Sequence, residues 1–135
     1  MKQRTTNQIA KQLAHRLQQS NGGVVLLDGA MGAGKTTLVA AVVKELDPNA
    51  LPCSPTFTLI NQYNDHLFHA DLYRLTESCT TDDAFAQAVE SIGLWDLIVP
   101  GNIVFIEWPN GLTFPDALRV QINVKENGER EFIID

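Results

Sequence analysis

A glycine-rich segment, GAMGAGKT, between an apolar run and a helical pattern, a second apolar run ending on a carboxylate, and a closing pair of alternating segments together predict an α/β fold. The expected architecture is a three-layer P-loop NTPase domain whose central sheet is mixed and partly parallel, with antiparallel hairpin strands at its margins. A chain of 135 residues suits one compact domain, 1–135.

Between Thr5 and Ser20, apolar residues Ile9, Leu13 and Leu17, with Ala10 and Ala14 beside them, recur at helical spacing until Asn-Gly-Gly stops the helix. Val24–Leu27 is a short continuous apolar run, as in a strand buried on both faces, and it feeds the glycine loop. KTTLVAAVVKEL then reads as a helix ending near Asp47-Pro48-Asn49. The prolines of LPCSPTF, residues 51–57, exclude helix and make a constrained loop. Thr58–Tyr63 and Leu67–Leu72 read as a hairpin around Asn64-Asp65-His66. Asp82–Leu94 is expected to be one helix, capped near Thr81, ending near Gly93 and burying Ala84, Phe85, Ala88, Val89 and Ile92. IVFIEW, residues 103–108, is a buried strand, and RVQINVK and EFIID flank the turn Glu126-Asn127-Gly128-Glu129 as a terminal hairpin.

The first 50 residues carry six Lys/Arg against three Asp/Glu, whereas residues 51–135 carry four against thirteen. That balance leaves little with which to grip RNA phosphates directly, so any nucleic-acid role is expected to run through partner proteins. No apolar stretch approaches the length of a membrane span, and MKQRTTNQ leads into no secretory signal, which points to a soluble, cytoplasmic protein without membrane or DNA partners. Cys53 and Cys79 form no CxxC pair and read as reduced thiols; with His66 and His69 their spacing matches no common zinc pattern.

Gly29, Gly34, Lys35 and Thr36 satisfy G-x-x-x-x-G-K-[ST]. In such a loop, backbone N–H groups of Gly29, Ala30, Met31, Gly32, Ala33, Gly34, Lys35, Thr36 and Thr37 surround the phosphates. The Lys35 ammonium reaches the β and γ phosphates, and the Thr36 hydroxyl ligates Mg. Glu107, ending the run Ile103–Ile106, stands where a second Mg ligand is needed. The guanine-reading Asn-Lys-x-Asp pattern is absent, so ATP is preferred over GTP.

In this order, GAMGAGKTTL, SPTFTLINQY, HADLYRL and IEWP resemble the bacterial tRNA threonylcarbamoyladenosine biosynthesis ATPase family, TsaE. The resemblance implies a small Mg-dependent ATPase with slow turnover, working with TsaD and TsaB to place threonylcarbamoyl on the adenosine next to a tRNA anticodon (t6A biosynthesis). The chemistry on tRNA would belong to TsaD. It also implies that Ser54-Pro55-Thr56 is a switch-type loop with Thr56 near the γ-phosphate, that Asp71 is a catalytic carboxylate that orients the attacking water or holds a Mg-bound one, and that Trp108 packs beneath the switch loop. Thr6 would lie near the base. Arg74 reads either as a phosphate-stabilising charge or as the ion-pair partner of Asp71, the latter being the simpler role. Within the loop, Ala30-Met31 replaces the family's usual Asp-Leu, and Gln62 replaces a frequent Glu. Two other readings use the same loop: a small-molecule kinase, disfavoured because Arg74, Arg119 and Arg130 are too scattered for an arginine lid, and a non-hydrolytic switch in which ATP drives assembly.

Overall fold

The computed structural model describes residues 5–50, 59–112, 114 and 116–134. Helix α1 (Thr6–Gln19) is closed at its start by a reciprocal capping box: Thr5 Oγ1 accepts the Gln8 N–H at 3.2 Å, and Gln8 Oε1 accepts the Thr5 N–H at 2.8 Å. Its Ile9, Ala10, Leu13, Ala14 and Leu17 are buried, as the periodicity predicts. At Gly22 the chain turns so tightly that a Cβ would lie 2.5 Å from the Asn102 carbonyl oxygen. Strand β1 (Gly23–Asp28) then runs into the glycine loop and helix α2 (Lys35–Leu46).

Strands β2 (Ile60–Asn64) and β3 (Leu67–Asp71) form the expected antiparallel pair, with a register shift between Gln62 and Asn64. The expected strand through Leu72 is one residue too long. Asp71 Oδ1 accepts the Tyr73 N–H at 3.1 Å, turning the chain into helix α3 (Tyr73–Ser78), which the sequence reading does not anticipate. Its six residues contain none that is fully buried, so it leaves no apolar period to read.

The predicted helix 82–94 is divided. Helix α4 (Asp82–Ser91) is capped by Thr81, whose Oγ1 accepts the Ala84 N–H, and it buries Phe85 and Val89 fully and Ala84, Ala88 and Ile92 in part. Gly93, at φ 81°, breaks the helical path, and α5 (Leu94–Leu97) starts in a new direction. Strand β4 (Ile103–Glu107) ends one residue before Trp108, and β5 (Leu118–Val124) and β6 (Arg130–Ile134) form the terminal hairpin.

The six strands lie in the order β2-β3-β4-β1-β5-β6. Pairing is parallel across β3-β4-β1-β5 and antiparallel at both margins. This is the mixed three-layer P-loop domain the sequence predicts. Side chains alternate between two cores. Val25, Leu27, Ile103, Phe105, Val120 and Ile122 pack under α1 and α2, whereas Val24, Leu26, Phe68, Ala70, Val104 and Ile106 pack under α4 and α5. With both faces covered, the central strands read as continuous apolar runs. Among the described residues no helix is long and apolar enough to cross a membrane.

Leu38 ties the loop-bearing helix to this core and is fully buried. Leu38→Ala should lower the unfolding free energy by about 2–5 kcal/mol, read from urea denaturation with an unchanged m-value.

Candidate functional site

Parallel register builds the site. β3, β4 and β1 end at the same edge of the sheet, where Asp71 is paired with Glu107 and Glu107 with Leu27. The loop leaves β1 at that edge, the usual place for ligands in open α/β sheets. A pocket of about 300 Å³ opens there, lined by Met31, Gly32, Gly34, Lys35, Thr36, Thr37, Asp71, Tyr73, Glu107, Trp108 and Arg130. A larger hollow of about 560 Å³ lies at the opposite edge, among Arg16, Gly22, Val24, Val99 and Leu118. The smaller pocket is the one that brings Lys35, Thr36, Asp71 and Glu107 together.

Glycine is required at two corners of the loop. At Gly29, φ is 155° and a Cβ would meet the Ile122 carbonyl oxygen at 2.8 Å; at Gly34, φ is 107° and a Cβ would meet Arg130 Nε at 2.9 Å. Ala33 is buried in the core below and its N–H donates to the Ala30 carbonyl at 3.0 Å, while Met31 is exposed at the pocket mouth. Lys35 Nζ donates to the Gly29 carbonyl at 2.7 Å and lies 3.7 Å from the centroid of the Trp108 ring, a cation–π contact. Burial pulls the Lys35 ammonium below its ordinary 10.5, against the opposing pull of Glu107, Asp71 and Asp28.

Glu107 is only 3% exposed. Its Oε2 accepts the Thr36 hydroxyl at 3.0 Å and His69 Nε2–H at 2.5 Å. Burial pushes its carboxyl up, but the His69 hydrogen bond and charge, the Thr36 hydroxyl and the Lys35 ammonium outweigh it, and the group ends below its ordinary 4.5. The sequence offers His69 in a zinc pattern that does not fit and at the head of HADLYRL, with no role attached to it. The fold turns it to hold Glu107, leaving its Nδ1 buried without a hydrogen-bond partner among the described residues. The alternation of LFHAD along β3 is a clue to its role, since it points His69 and Asp71 to the same side of the sheet.

Asp71 lines the pocket, but no ion pair joins it to Arg74. Arg74 is exposed on α3 and outside the pocket lining, which corrects the ion-pair reading: the short helix that Asp71 starts carries residue 74 away. Trp108 turns back over Lys35 and against Tyr73, whose ring centroid is 5.0 Å away. Thr6 begins α1 half-buried and does not line the pocket. Ser54, Pro55 and Thr56, and with them the contact expected between Trp108 and the switch loop, lie outside the described residues. Tyr73 and Arg130 are pocket residues that sequence spacing does not reveal, Arg130 because its Nε reaches the Ala33 carbonyl, at 2.7 Å, across 97 positions.

A P-loop at the carboxyl edge of a mixed α/β sheet, with a lysine, a hydroxyl and a carboxylate gathered on it, defines a P-loop NTPase domain. The family profile described as threonylcarbamoyl adenosine biosynthesis protein TsaE matches residues 1–132, and the chain belongs to that family. It is 39% identical over 120 residues to the tRNA threonylcarbamoyladenosine biosynthesis protein TsaE of a Nostoc species, covering 82% of this chain and 68% of that protein. With the protein of the same name from Bacillus subtilis it is 32% identical over 115 residues, covering 82% and 66%. With that of Aquifex aeolicus it is 44% identical over 78 residues, covering 53% and 56%. The chain thus spans about two thirds of the length of the first two relatives.

Because the Glu107 pKa is lowered, the stability it contributes is full above 4.5 and is lost as pH falls through its lowered value. Glu107→Gln should therefore flatten the fall of unfolding free energy between about pH 5 and pH 3 relative to the parent chain, as read by denaturation at a series of pH values.

Proposed function

We propose that this chain binds Mg-ATP in the pocket at the glycine loop, hydrolyses it slowly, and serves with TsaD and TsaB in placing threonylcarbamoyl on the adenosine next to the anticodon in tRNA. The observation that carries the nucleotide reading is the convergence of Lys35, Thr36 and Glu107 on one side of the loop, with Thr36 Oγ1 3.0 Å from Glu107 Oε2. A hydroxyl and a carboxylate oxygen side by side are the donors a hard divalent cation takes, so Thr36 and Glu107 fit a magnesium site. Bound there, magnesium would offset the negative charge of the β and γ phosphates.

The chain's own groups do the rest. The loop N–H groups and the start of α2 hold the phosphates. Lys35, drawn down by burial and resting on the Gly29 carbonyl and the Trp108 ring, is released to phosphate oxygens, whose charge favours its ammonium form. Asp71 faces the pocket from the end of β3 and orients the attacking water, a positioning role. Thr56, in the Ser54-Pro55-Thr56 loop, reads the γ-phosphate. The tRNA role and the partners follow from family membership and from the names of the relatives, and the acidic charge of residues 51–135 agrees with tRNA being reached through a complex. Action in the cytoplasm follows from the same role.

Purified protein with Mg and ATP should release inorganic phosphate slowly, faster with TsaD and TsaB added, and not at all as Lys35→Ala. Asp71→Ala should cut turnover by about a hundredfold while ATP still binds. A phosphorylated small molecule in place of inorganic phosphate would establish the kinase reading instead. Partner assembly that continues in Asp71→Ala, with tRNA modification at the parent rate, would favour the passive switch.

A further inference from the structure

His69 is set on β3 between two neighbouring strands, opposite Asn61 of β2 and Phe105 of β4, and is 4% exposed. It does not line the pocket; it meets the site through Glu107, by the 2.5 Å bond from Nε2 to Oε2. Its Nδ1 is buried with no hydrogen-bond partner among the described residues. A buried polar atom without a partner is destabilising, and an apolar side chain of similar size would avoid the loss. What the imidazole provides in return is one N–H on the Glu107 carboxylate.

That N–H and the Thr36 hydroxyl, at 3.0 Å, both end on Oε2. A carboxylate oxygen has two lone pairs, so the two donors fill this one. A cation that takes the place of the Thr36 proton still shares Oε2 with His69. Bidentate capture needs both oxygens turned to the cation, and a carboxylate pinned at one of them by a ring fixed in the sheet is held back from that rotation. Calcium accepts six to eight oxygens in flexible geometry and gains from bidentate carboxylates. Magnesium demands near-octahedral geometry and is served by one oxygen of each carboxylate together with waters and phosphate oxygens.

We infer that His69 is a positioning residue that limits Glu107 to coordination through one oxygen, and so makes the site favour magnesium over calcium. The inference rests on the proposed magnesium site and adds the origin of its selectivity. His69 acts through Glu107 and touches neither nucleotide nor cation.

The test is calorimetric binding of adenylyl imidodiphosphate, a non-hydrolysable ATP analogue, in magnesium, in calcium and in a chelator. The proteins are the parent chain, His69→Leu, His69→Asn, His69→Gln and Lys35→Ala, each with its thermal midpoint in the chelator. The parent chain should bind more tightly with magnesium than with calcium. His69→Leu, which removes the N–H, should lower the calcium-to-magnesium ratio of dissociation constants by about tenfold. His69→Asn, polar but too short to place its amide where Nε2 stands, should do the same, and it carries the test should the Leu variant fail to fold. His69→Gln, whose amide reaches that place, should keep the ratio near the parent's. A histidine that only supports the fold would lower the thermal midpoint and weaken binding alike with both cations, so an unaltered ratio in the Leu and Asn variants overturns the inference. So does a Gln variant that shifts the ratio as far as Leu, or a parent chain with no preference for magnesium. In each of these cases Lys35→Ala still abolishes binding and the nucleotide site stands. Parent-like binding by Lys35→Ala, or equal binding by the parent chain in magnesium and in the chelator, overturns the proposed magnesium–nucleotide site and the inference with it.

Discussion

A carboxylate buried at the end of a parallel strand is the constraint around which this site is built. Glu107 cannot be left ionised in a nearly water-free position without partners, since an uncompensated buried charge costs several kcal/mol, on the order of what a whole domain has to spare. Three elements meet to satisfy it. His69 comes from β3, Thr36 from the first turn of α2, and Lys35 adds its charge from the neighbouring residue. Each partner exists because of a neighbour relation in the sheet or loop. β4 lies between β3 and β1, and the helix that follows β1 starts at the same edge. The arrangement that satisfies the carboxylate therefore also gathers Lys35, Thr36 and His69 at one edge of the sheet.

The loop is confined from both sides. Below, Ala33 is packed into the core and Gly29 abuts the Ile122 backbone; beside it, Arg130 occupies the space a side chain at Gly34 would take. Above, Trp108 is held at φ 60°, a left-handed conformation that costs a non-glycine residue about 1–3 kcal/mol and persists only where the surroundings impose it. That conformation follows directly on the last residue of β4 and accompanies the return of the indole over Lys35 and against Tyr73. Strain, cation–π contact and ring packing are thus concentrated within a few residues of Glu107. Local strain of this kind is commonly stored where a site must be held in one geometry.

The terminal hairpin looks peripheral in the sequence, a pair of alternating segments such as many sheets carry at their edges. Its attachment gives it a larger part. β5 joins the parallel core directly beside β1, so its antiparallel partner β6 begins next to the loop rather than at a remote margin. The same strand that supplies Ile122 to the core beneath Gly29 leads, through the turn, to Arg130.

By itself the sequence determined the elements whose signals are local: the glycine loop with Lys35 and Thr36, the apolar runs of β1 and β4, the amphipathic α1, and the hairpin turn at Glu126-Asn127-Gly128-Glu129. Each rests on spacing or turn chemistry within a few residues. It also placed Glu107 at the end of a buried strand and Asp71 within HADLYRL. The tertiary structure alone decided the strand order, the break at Gly93, the short helix that carries Arg74 away from Asp71, and the meeting of His69, Glu107 and Arg130 with the loop. Those relations join residues from about 40 to almost 100 positions apart, or depend on which neighbour competes for a hydrogen bond. Local periodicity carries no information on either, because strand partners are chosen by the packing of the whole sheet.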